Sequence, residues 1–200
     1  MLLSRLHASD LADTTWSESH GAAAPHLSLG ALYFTLPYML EARTVVCLGS
    51  GGGFVPRCML AAQHQLVSEG RIEHVDAHLV DAHTGVWGLP VYGDTPDDDI
   101  VRHRMLTDDA VDRFDRIDYL HVDADHSYEQ TLADLRNYGA KCNGSRWAIT
   151  VHDTWNVNYG GTVPMGTWRA AVDYAAERGC GIVNFTVGCG TALLAPNHGL

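Results

Sequence analysis

One run of ten residues, from Thr44 to Gly53, constrains the fold of this chain more than any other stretch. The apolar, β-prone segment Thr44–Leu48 stops at Gly49-Ser50-Gly51-Gly52-Gly53, and the helix-compatible segment Phe54–Val67 follows. In α/β folds, a strand, a glycine turn and a helix in this order let a nucleotide-like ligand approach bare backbone. A Cβ in such a turn would collide with the ligand or forbid a positive φ angle. Taken alone, the run also fits an ordinary tight turn between a strand and a helix.

Composition and charge limit the classes of protein to which the chain can belong. Its 200 residues fit one domain, and 46% hydrophobic residues exclude a disordered chain. A net charge of −11, with 13 scattered Lys and Arg residues, disfavours nucleic-acid binding. Five cysteines without metal-ligand spacing predict a reduced, cytoplasmic setting. We find neither a signal peptide nor a run that could cross a membrane.

Predicted strands alternate with predicted helices and end in a hairpin, which indicates a mostly parallel seven-stranded sheet with helices on both faces. The predicted strands are Thr44–Leu48, His78–Val80, Val101–Met105, Ile117–Val122, Trp147–Val151, Ile182–Val187 and Thr191–Ala195. The predicted helices are Leu27–Glu41, Phe54–Val67, Asp108–Phe114 and two further helices that begin at the capping residues Ser127 and Thr167. Pro37 should break or kink the first helix. The last helix has a predicted apolar stripe of Trp168, Ala171, Val172 and Ala175. We expect an N-terminal arm over residues 1–26, a single α/β domain over 27–200, and a long loop over Gly85–Asp99.

Acidic and histidine residues follow two of the predicted strands directly. Asp123 and His126 come after one strand, and His152 and Asp153 come after the next. Ligands in open α/β sheets bind beyond the carboxyl ends of the strands, where the glycine turn and Asp81 also lie. Four strand ends therefore converge on one predicted crevice.

Two of the acids fit a nucleoside ligand. Asp81 ends its strand 28 residues after Gly53, where an acid can accept hydrogen bonds from both ribose hydroxyls. An aspartate that only caps the next helix is common at the same place. Asp108 or its neighbour Asp109 would lie near the adenine, although solvated loop acids look the same in a sequence.

The acids at the other two strand ends suit a hard divalent cation. Asp123 and Asp153 would repel each other at neutral pH unless a cation lay between them, with His152 or water completing the site. Strand-end aspartates also serve as helix caps. His126 is the candidate general base because imidazole titrates near neutral pH, and a histidine hydrogen-bonded at a helix start is the alternative. The remaining histidines, among them His20 and His121, show no ligand spacing.

This combination resembles the class I S-adenosylmethionine-dependent methyltransferases, which have a Rossmann-like fold. Val45 to Gly53 is similar to their first motif, so the resemblance implies that Gly49, Ser50, Gly51 and Gly53 contact the cofactor. It likewise implies that Asp81 holds the ribose. The terminal hairpin matches the reversed last strand of that fold. The resemblance covers residues 27 to 196.

Within that class, Leu120–Tyr128 and Val151–Thr154 look like motifs of metal-dependent natural-product O-methyltransferases, such as those acting on macrolide sugars. The resemblance implies a divalent metal, usually magnesium, on Asp123 and Asp153. It also implies a histidine base at His126 and a small-molecule acceptor with two neighbouring oxygens. A homo-oligomer is compatible with the apolar N-terminal segment.

Two positions depart from the pattern of these enzymes. Cys47 stands where the first motif usually has an acid, and His152 stands where a second acid often precedes Asp153. A histidine there leaves iron, manganese or no metal open as alternatives to magnesium. Two other functions stay open from the sequence: a metal-dependent hydrolase, and a degenerate protein that binds a nucleoside without catalysis.

Overall fold

Seven strands among the described residues form one sheet. The computed structural model describes residues 17–23, 26–49, 51–82, 85–86, 89–90, 99–155 and 166–197. We number the strands β1 to β7 in chain order: Val45–Leu48, Ala77–Val80, Ile100–His103, Tyr119–Val122, Ala148–His152, Gly181–Phe185 and Thr191–Ala195. Their spatial order is β3-β2-β1-β4-β5-β7-β6, with β1 to β5 parallel and β7 antiparallel to both its neighbours.

Helices cover both faces of the sheet, as the sequence predicts. The α-helices are α1 Gly30–Leu40, α2 Phe54–Ser68, α3 Thr107–Ala110, α4 Tyr128–Gly139 and α5 Thr167–Arg178, and Ser17–His20 and Val111–Arg113 form short 3₁₀ helices. Successive residues of β1 point to opposite faces. Val45 and Cys47 pack in the cluster built by α1 and α2, whereas Val46 and Leu48 pack in the cluster built by α4 and α5. Burial on both faces explains why the central strands are continuously apolar.

The terminal hairpin and most predicted elements are confirmed to within a few residues. Helix α1 continues past Pro37 to Leu40, so the proline does not break it. Ser127 caps α4, because its Oγ accepts a hydrogen bond from the backbone N–H of Gln130 at 3.3 Å. The strands Gly85–Val86 and Leu89–Pro90 pair within the predicted loop, most of which lies outside the described residues.

The prediction for α5 was wrong in two respects. Gly166, not Thr167, is the N-cap residue, and the Thr167 hydroxyl donates instead to the backbone carbonyl of Asp153 at 2.7 Å. Trp168 and Val172, placed in the apolar stripe, are 38% and 37% exposed. Ala171 and Ala175 of the predicted stripe are buried, and Thr167, Ala170 and Tyr174 complete the buried face of the helix.

Strand register brings the predicted site segments to one edge of the sheet. Leu48, the last residue of β1, lies opposite Val80 of β2 and Val122 of β4, and Val122 lies opposite Val151 of β5. The chain therefore leaves β1, β2, β4 and β5 at the same height. Among the described residues, no helix is long and apolar enough to span a bilayer.

Candidate active site

Asp123 lies at the centre of a cluster of imidazoles beyond β4. Its Oδ1 is 3.2 Å from Nδ1 of His152 and 3.4 Å from Nε2 of His126. Its Oδ2 is 3.8 Å from Nε2 of His121, a buried nitrogen that has no hydrogen-bond partner among the described residues. His121 belongs to β4, and its Nδ1 pairs with the hydroxyl of Thr150 on β5 at 2.8 Å.

Asp153 faces the same imidazoles from the end of β5. Its Oδ2 is 3.1 Å from Nε2 of His126 and 3.5 Å from Nδ1 of His152. Its Oδ1 is buried and has no hydrogen-bond partner among the described residues. The residue has a φ of 57°, a left-handed conformation that is costly for a side chain other than glycine and that concentrates at functional sites. The hydrogen bond from Thr167 to its carbonyl stabilises this conformation.

A layer of residues from the N-terminal segment packs on His152. The ring of His20 stacks on the ring of His152 with centroids 3.9 Å apart and 30° between the planes. Nδ1 of His20 is 3.0 Å from the hydroxyl of Tyr33, which is 2.8 Å from the hydroxyl of Thr191. Nε2 of His152 is 3.4 Å from the carbonyl oxygen of Ser19. The 3₁₀ helix Ser17–His20 thus forms part of the site.

Sequence reasoning missed two members of this cluster, His20 and His121. A signal existed for His121, because residues two apart on a strand share a face and it precedes Asp123 by two. No sequence signal existed for His20, because its segment shows no hydrophobic periodicity and reaches the site only when the chain folds. Trp155, two residues after Asp153, is 59% exposed.

Burial and the charges of neighbouring groups shift the pKa values of these residues in opposite directions. Burial alone would raise the pKa of Asp123, but the charge of His152 and the close polar contacts with His121, His126 and His152 hold it well below its usual value. Burial would lower the pKa of His152, yet Asp123 and then Asp153 raise it to about 10. The pKa of His126 is likewise raised by the two carboxylates against the effect of burial. Burial and the neighbouring His152 lower the pKa of His20.

Two overlapping groups in the described part of the chain could hold a metal ion, and they share Asp123. One comprises Asp123, His126 and Asp153, the other His20, Asp123 and His152, with all ligand atoms of a group within 4.8 Å of one another. A ligand nitrogen binds a metal in the plane of its ring. Because His20 and His152 are stacked, they cannot both direct nitrogens at one ion without rotating. Nδ1 of His152 is 3.2 Å from Oδ1 of Asp123 and 3.5 Å from Oδ2 of Asp153, so it can bind one ion together with those carboxylates.

The glycine turn lies beside this cluster. The backbone N–H of Gly49 donates to Val80 O at 2.9 Å and that of Asp123 donates to Leu48 O at 2.8 Å. Gly49, Gly51 and Gly53 have φ angles of 80°, 45° and 88°, as a glycine turn requires. Ser50 lies outside the described residues.

The predicted ribose and adenine acids lie at the ends of β2 and β3. Asp81 is half-buried and its backbone N–H donates to the carbonyl of His103 at 3.1 Å. Asp108 is exposed on α3, and its Oδ1 accepts a hydrogen bond from Gln130 Nε2 at 3.3 Å. Both acids follow strands whose carboxyl ends lie at the edge that carries the glycine turn.

Solved structures of low sequence identity share this architecture. Cofactor-bound Rv0187 from MTB is 16% identical to this chain, with a TM-score of 0.62. The match covers 100% of this chain and 90% of Rv0187. The O-methyltransferase from Bacillus cereus in complex with SAH is 11% identical to this chain, with a TM-score of 0.59. The match covers 98% of this chain and 90% of the Bacillus cereus protein. This chain has the class I methyltransferase fold.

A third structure with this methyltransferase fold was solved with a metal ion. The MycE methyltransferase of mycinamycin biosynthesis, in complex with Mg, SAH and mycinamycin VI, is 12% identical with a TM-score of 0.60. The match covers 94% of this chain and 53% of MycE. No family model and no curated protein matches the sequence.

Proposed function

We propose that the chain is an S-adenosylmethionine-dependent methyltransferase that methylates a hydroxyl group of a small molecule with the help of a divalent metal. The observation that carries the proposal is the meeting, at one edge of a methyltransferase-type sheet, of a glycine turn with Asp123, Asp153 and His126. The fold comparison favours this function over the hydrolase and the non-catalytic protein considered from the sequence.

The glycine turn has room for the cofactor at one position. A Cβ built on Gly51 would meet no atom of the described residues within 4 Å, so the described part of the chain leaves space beside it for a ligand. Asp81 would bind the ribose, and Asp108 would lie near the adenine. Cys47 makes no equivalent of the missing acid contact, because it is buried and its S–H donates to the carbonyl of Gly49 at 3.0 Å. That hydrogen bond stabilises the conformation of the glycine turn.

A divalent cation fits between the two carboxylates. Asp123, His152 and Asp153 would hold it, and the unpartnered Oδ1 of Asp153 is the kind of buried atom that a cation satisfies. Such a cation, when bound, lowers the pKa of an acceptor hydroxyl, and S-adenosylmethionine, when bound, supplies the methyl group.

Exposure separates the roles of the two histidines nearest the carboxylates. The side chain of His152 is 3% exposed and cannot reach an acceptor, whereas that of His126 is 33% exposed. His126 is therefore the general base that accepts the hydroxyl proton at Nε2. Asp123 and Asp153, 3.4 and 3.1 Å from that nitrogen, orient the ring and stabilise its protonated form.

The acceptor would contact Trp155. Its ring is 59% exposed, and its backbone N–H donates to the carbonyl of Cys189 at 2.9 Å, which fixes the residue next to Asp153. An exposed aromatic ring beside a catalytic group suits the apolar face of a ring-shaped acceptor.

The test combines binding and turnover. Calorimetry with S-adenosylmethionine should detect binding to the chain, and incubation with a vicinal diol such as 3,4-dihydroxybenzoate should produce S-adenosylhomocysteine faster when a divalent metal is added. The variant Asp153→Asn should keep cofactor affinity within a few fold and lose the metal stimulation. Asparagine suits this comparison because it tolerates the left-handed backbone that residue 153 adopts.

The exposed acid Asp115, which lies before the start of β4, provides the matched control, since Asp115→Asn removes a carboxylate outside the cluster. Absence of any binding heat with the cofactor would overturn the proposed function. Loss of cofactor binding in Asp153→Asn would instead assign Asp153 a structural role.

A further inference from the structure

His152 stands where the resembling enzymes often carry a second acid, and its surroundings are those of a metal ligand. We propose that His152 binds the cation through Nδ1 and makes the site select a transition-metal ion, such as Mn²⁺, Fe²⁺, Co²⁺ or Zn²⁺, over magnesium. The proposal rests on the proposed function and adds to it the class of metal that the site takes.

Nδ1 of His152 lies at ligand spacing from both carboxylates. It is 3.2 Å from Oδ1 of Asp123 and 3.5 Å from Oδ2 of Asp153. Neighbouring ligands around one ion with bonds of about 2.0–2.1 Å are roughly 2.9 Å apart in octahedral and 3.4 Å apart in tetrahedral geometry. The three atoms need only small side-chain movements to converge on a cation.

The other nitrogen of His152 has the partner typical of a metal-bound imidazole. Its Nε2–H donates to the carbonyl oxygen of Ser19 at 3.4 Å. Ligating histidines almost always donate their second ring N–H to a carbonyl or carboxylate, which fixes the tautomer and the ring orientation. Nδ1 faces two carboxylates and carries a proton in the metal-free chain. A cation that displaces this proton meets the Nδ1 lone pair between Asp123 and Asp153.

The ring of His152 is also held in place by its neighbours. His20 stacks on it at 3.9 Å and is itself held by the hydroxyl of Tyr33. Asp153 adds an independent sign of a ligand, because its buried Oδ1 has no partner within the described part of the chain while its backbone adopts the left-handed conformation. Strain of this kind persists where the surroundings impose a particular side-chain direction.

The donor set decides the class of metal. Magnesium prefers oxygen ligands in a near-ideal octahedron and retains several waters. Imidazole favours first-row transition metals, and mixed nitrogen and carboxylate sets are typical of manganese, iron and zinc proteins. Replacing one carboxylate of an all-oxygen site by the His152 nitrogen therefore shifts selectivity away from magnesium.

The experiment measures the ligand atom directly. The full chain, freed of metal by a chelator, is loaded with one equivalent of Mn²⁺, and electron spin-echo envelope modulation is recorded for coupling to ¹⁴N. We expect imidazole ¹⁴N coupling in the wild type and in His126→Ala, and its loss in His152→Asp and His152→Asn. Both substitutions place an oxygen where Nδ1 was, and the neutral Asn variant guards against misfolding of a chain with a third buried carboxylate.

Selectivity is the second readout. Calorimetric titrations should show that the ratio of the dissociation constants for Mg²⁺ and Mn²⁺ falls at least about tenfold in His152→Asp relative to the wild type. His74→Ala, which removes an exposed histidine away from the cluster, should leave both the coupling and the ratio unchanged.

The outcomes separate this proposal from the proposed function. Coupling that survives in both His152 variants, coupling that vanishes only in His126→Ala, or a wild type that binds no Mn²⁺ would overturn the assignment of His152. All of these measurements are made without cofactor or acceptor. A failure of methyl transfer would therefore contradict the proposed function without affecting a positive result on His152 as a metal ligand.

Discussion

At the scale of single residues, two glycines of the turn have positive φ angles for different reasons. A Cβ on Gly49 would lie 2.1 Å from the backbone oxygen of Asp123, so this glycine lets the ends of β1 and β4 approach each other. A Cβ on Gly51 would meet no atom of the described residues within 4 Å. The first glycine therefore serves the fold, and we infer that the second serves the ligand.

This difference predicts opposite phenotypes for the same substitution. Gly49→Ala should lower the free energy of unfolding by more than about 3 kcal/mol, because backbone strain adds to a collision that only backbone movement can relieve. Gly51→Ala should cost only the strain of a left-handed alanine, about 1 kcal/mol, and weaken cofactor binding more than tenfold. Urea denaturation and calorimetry check the two halves. Equal destabilisation by both substitutions would contradict the distinction.

The residues of the site were predictable to the extent that they follow strands. Asp123 and Asp153 could be placed together because parallel strands end at a common edge. That the carbonyl of Asp123 touches Gly49 could not be predicted, since it depends on the distance between neighbouring strand ends. His20 was unpredictable for a related reason: its contact with His152 spans more than a hundred residues and leaves no periodic trace.

At the scale of secondary-structure elements, helix α4 buries an acid on its inner face. Asp134 is 0% exposed, its Oδ1 accepts a hydrogen bond from Gln130, and its Oδ2 has no partner among the described residues. Burial, and to a lesser extent the nearby charges of Asp108 and Asp125, raise the pKa of Asp134 to about 6. Ionisation of this buried side chain therefore destabilises the packing of α4 in the folded protein.

A pH dependence of stability follows from that shift. The unfolded chain releases the Asp134 proton near pH 3.9, and the folded chain retains it to about pH 6. The folded state binds more protons in this window, so this residue's contribution to stability falls as pH rises from about 4 to 6. Asp134→Asn should remove that dependence and stabilise the protein at pH 7 by about 1–3 kcal/mol. Urea denaturation of both proteins at pH 4.5 and 7 measures the effect.

The exposed Asp109 offers a control on the neighbouring helix α3. Asp109→Asn should leave the pH profile of stability as in the wild type. A profile that persists unchanged in Asp134→Asn would show that another group is responsible.

Elements were predictable where apolar pattern alone decides burial. The central strands β1, β4 and β5 were, because both of their faces are covered. The buried face of α5 was not, because Thr167 and Tyr174 are buried through specific partners. Thr167 donates to Asp153 O, and the hydroxyl of Tyr174 accepts from Arg178 at 2.6 Å. Periodicity cannot reveal such partners, so it assigned Trp168 and Val172 to the inner face instead.

At the scale of the whole molecule, folding concentrates like charge in a chain that is already acidic. The net charge is −11, and the fold brings Asp123 and Asp153 to within reach of the same imidazole nitrogens. A divalent cation that binds this arrangement only in the folded state must shift the folding equilibrium.

We therefore expect metal to raise the thermal midpoint of the chain. At a free Mn²⁺ concentration of about 100 times the dissociation constant, the gain is about 2.7 kcal/mol. For a chain of this size that gain corresponds to roughly 5–10 °C. Calorimetry or circular dichroism of the demetallated chain, with and without Mn²⁺, measures the shift. An equal rise in Asp153→Asn would show that the stabilising ion binds elsewhere.

The position of β7 has a consequence for the order in which the molecule is made. This strand is the last of the sheet in sequence but lies inside it, between β5 and β6. During translation, every acid and imidazole of the cluster is synthesised before Thr191, the partner of Tyr33, has been added. Cys189, whose N–H donates to Ser19 O, also arrives late. A nascent chain halted before Gly181 would hold all the catalytic side chains without the framework that aligns them.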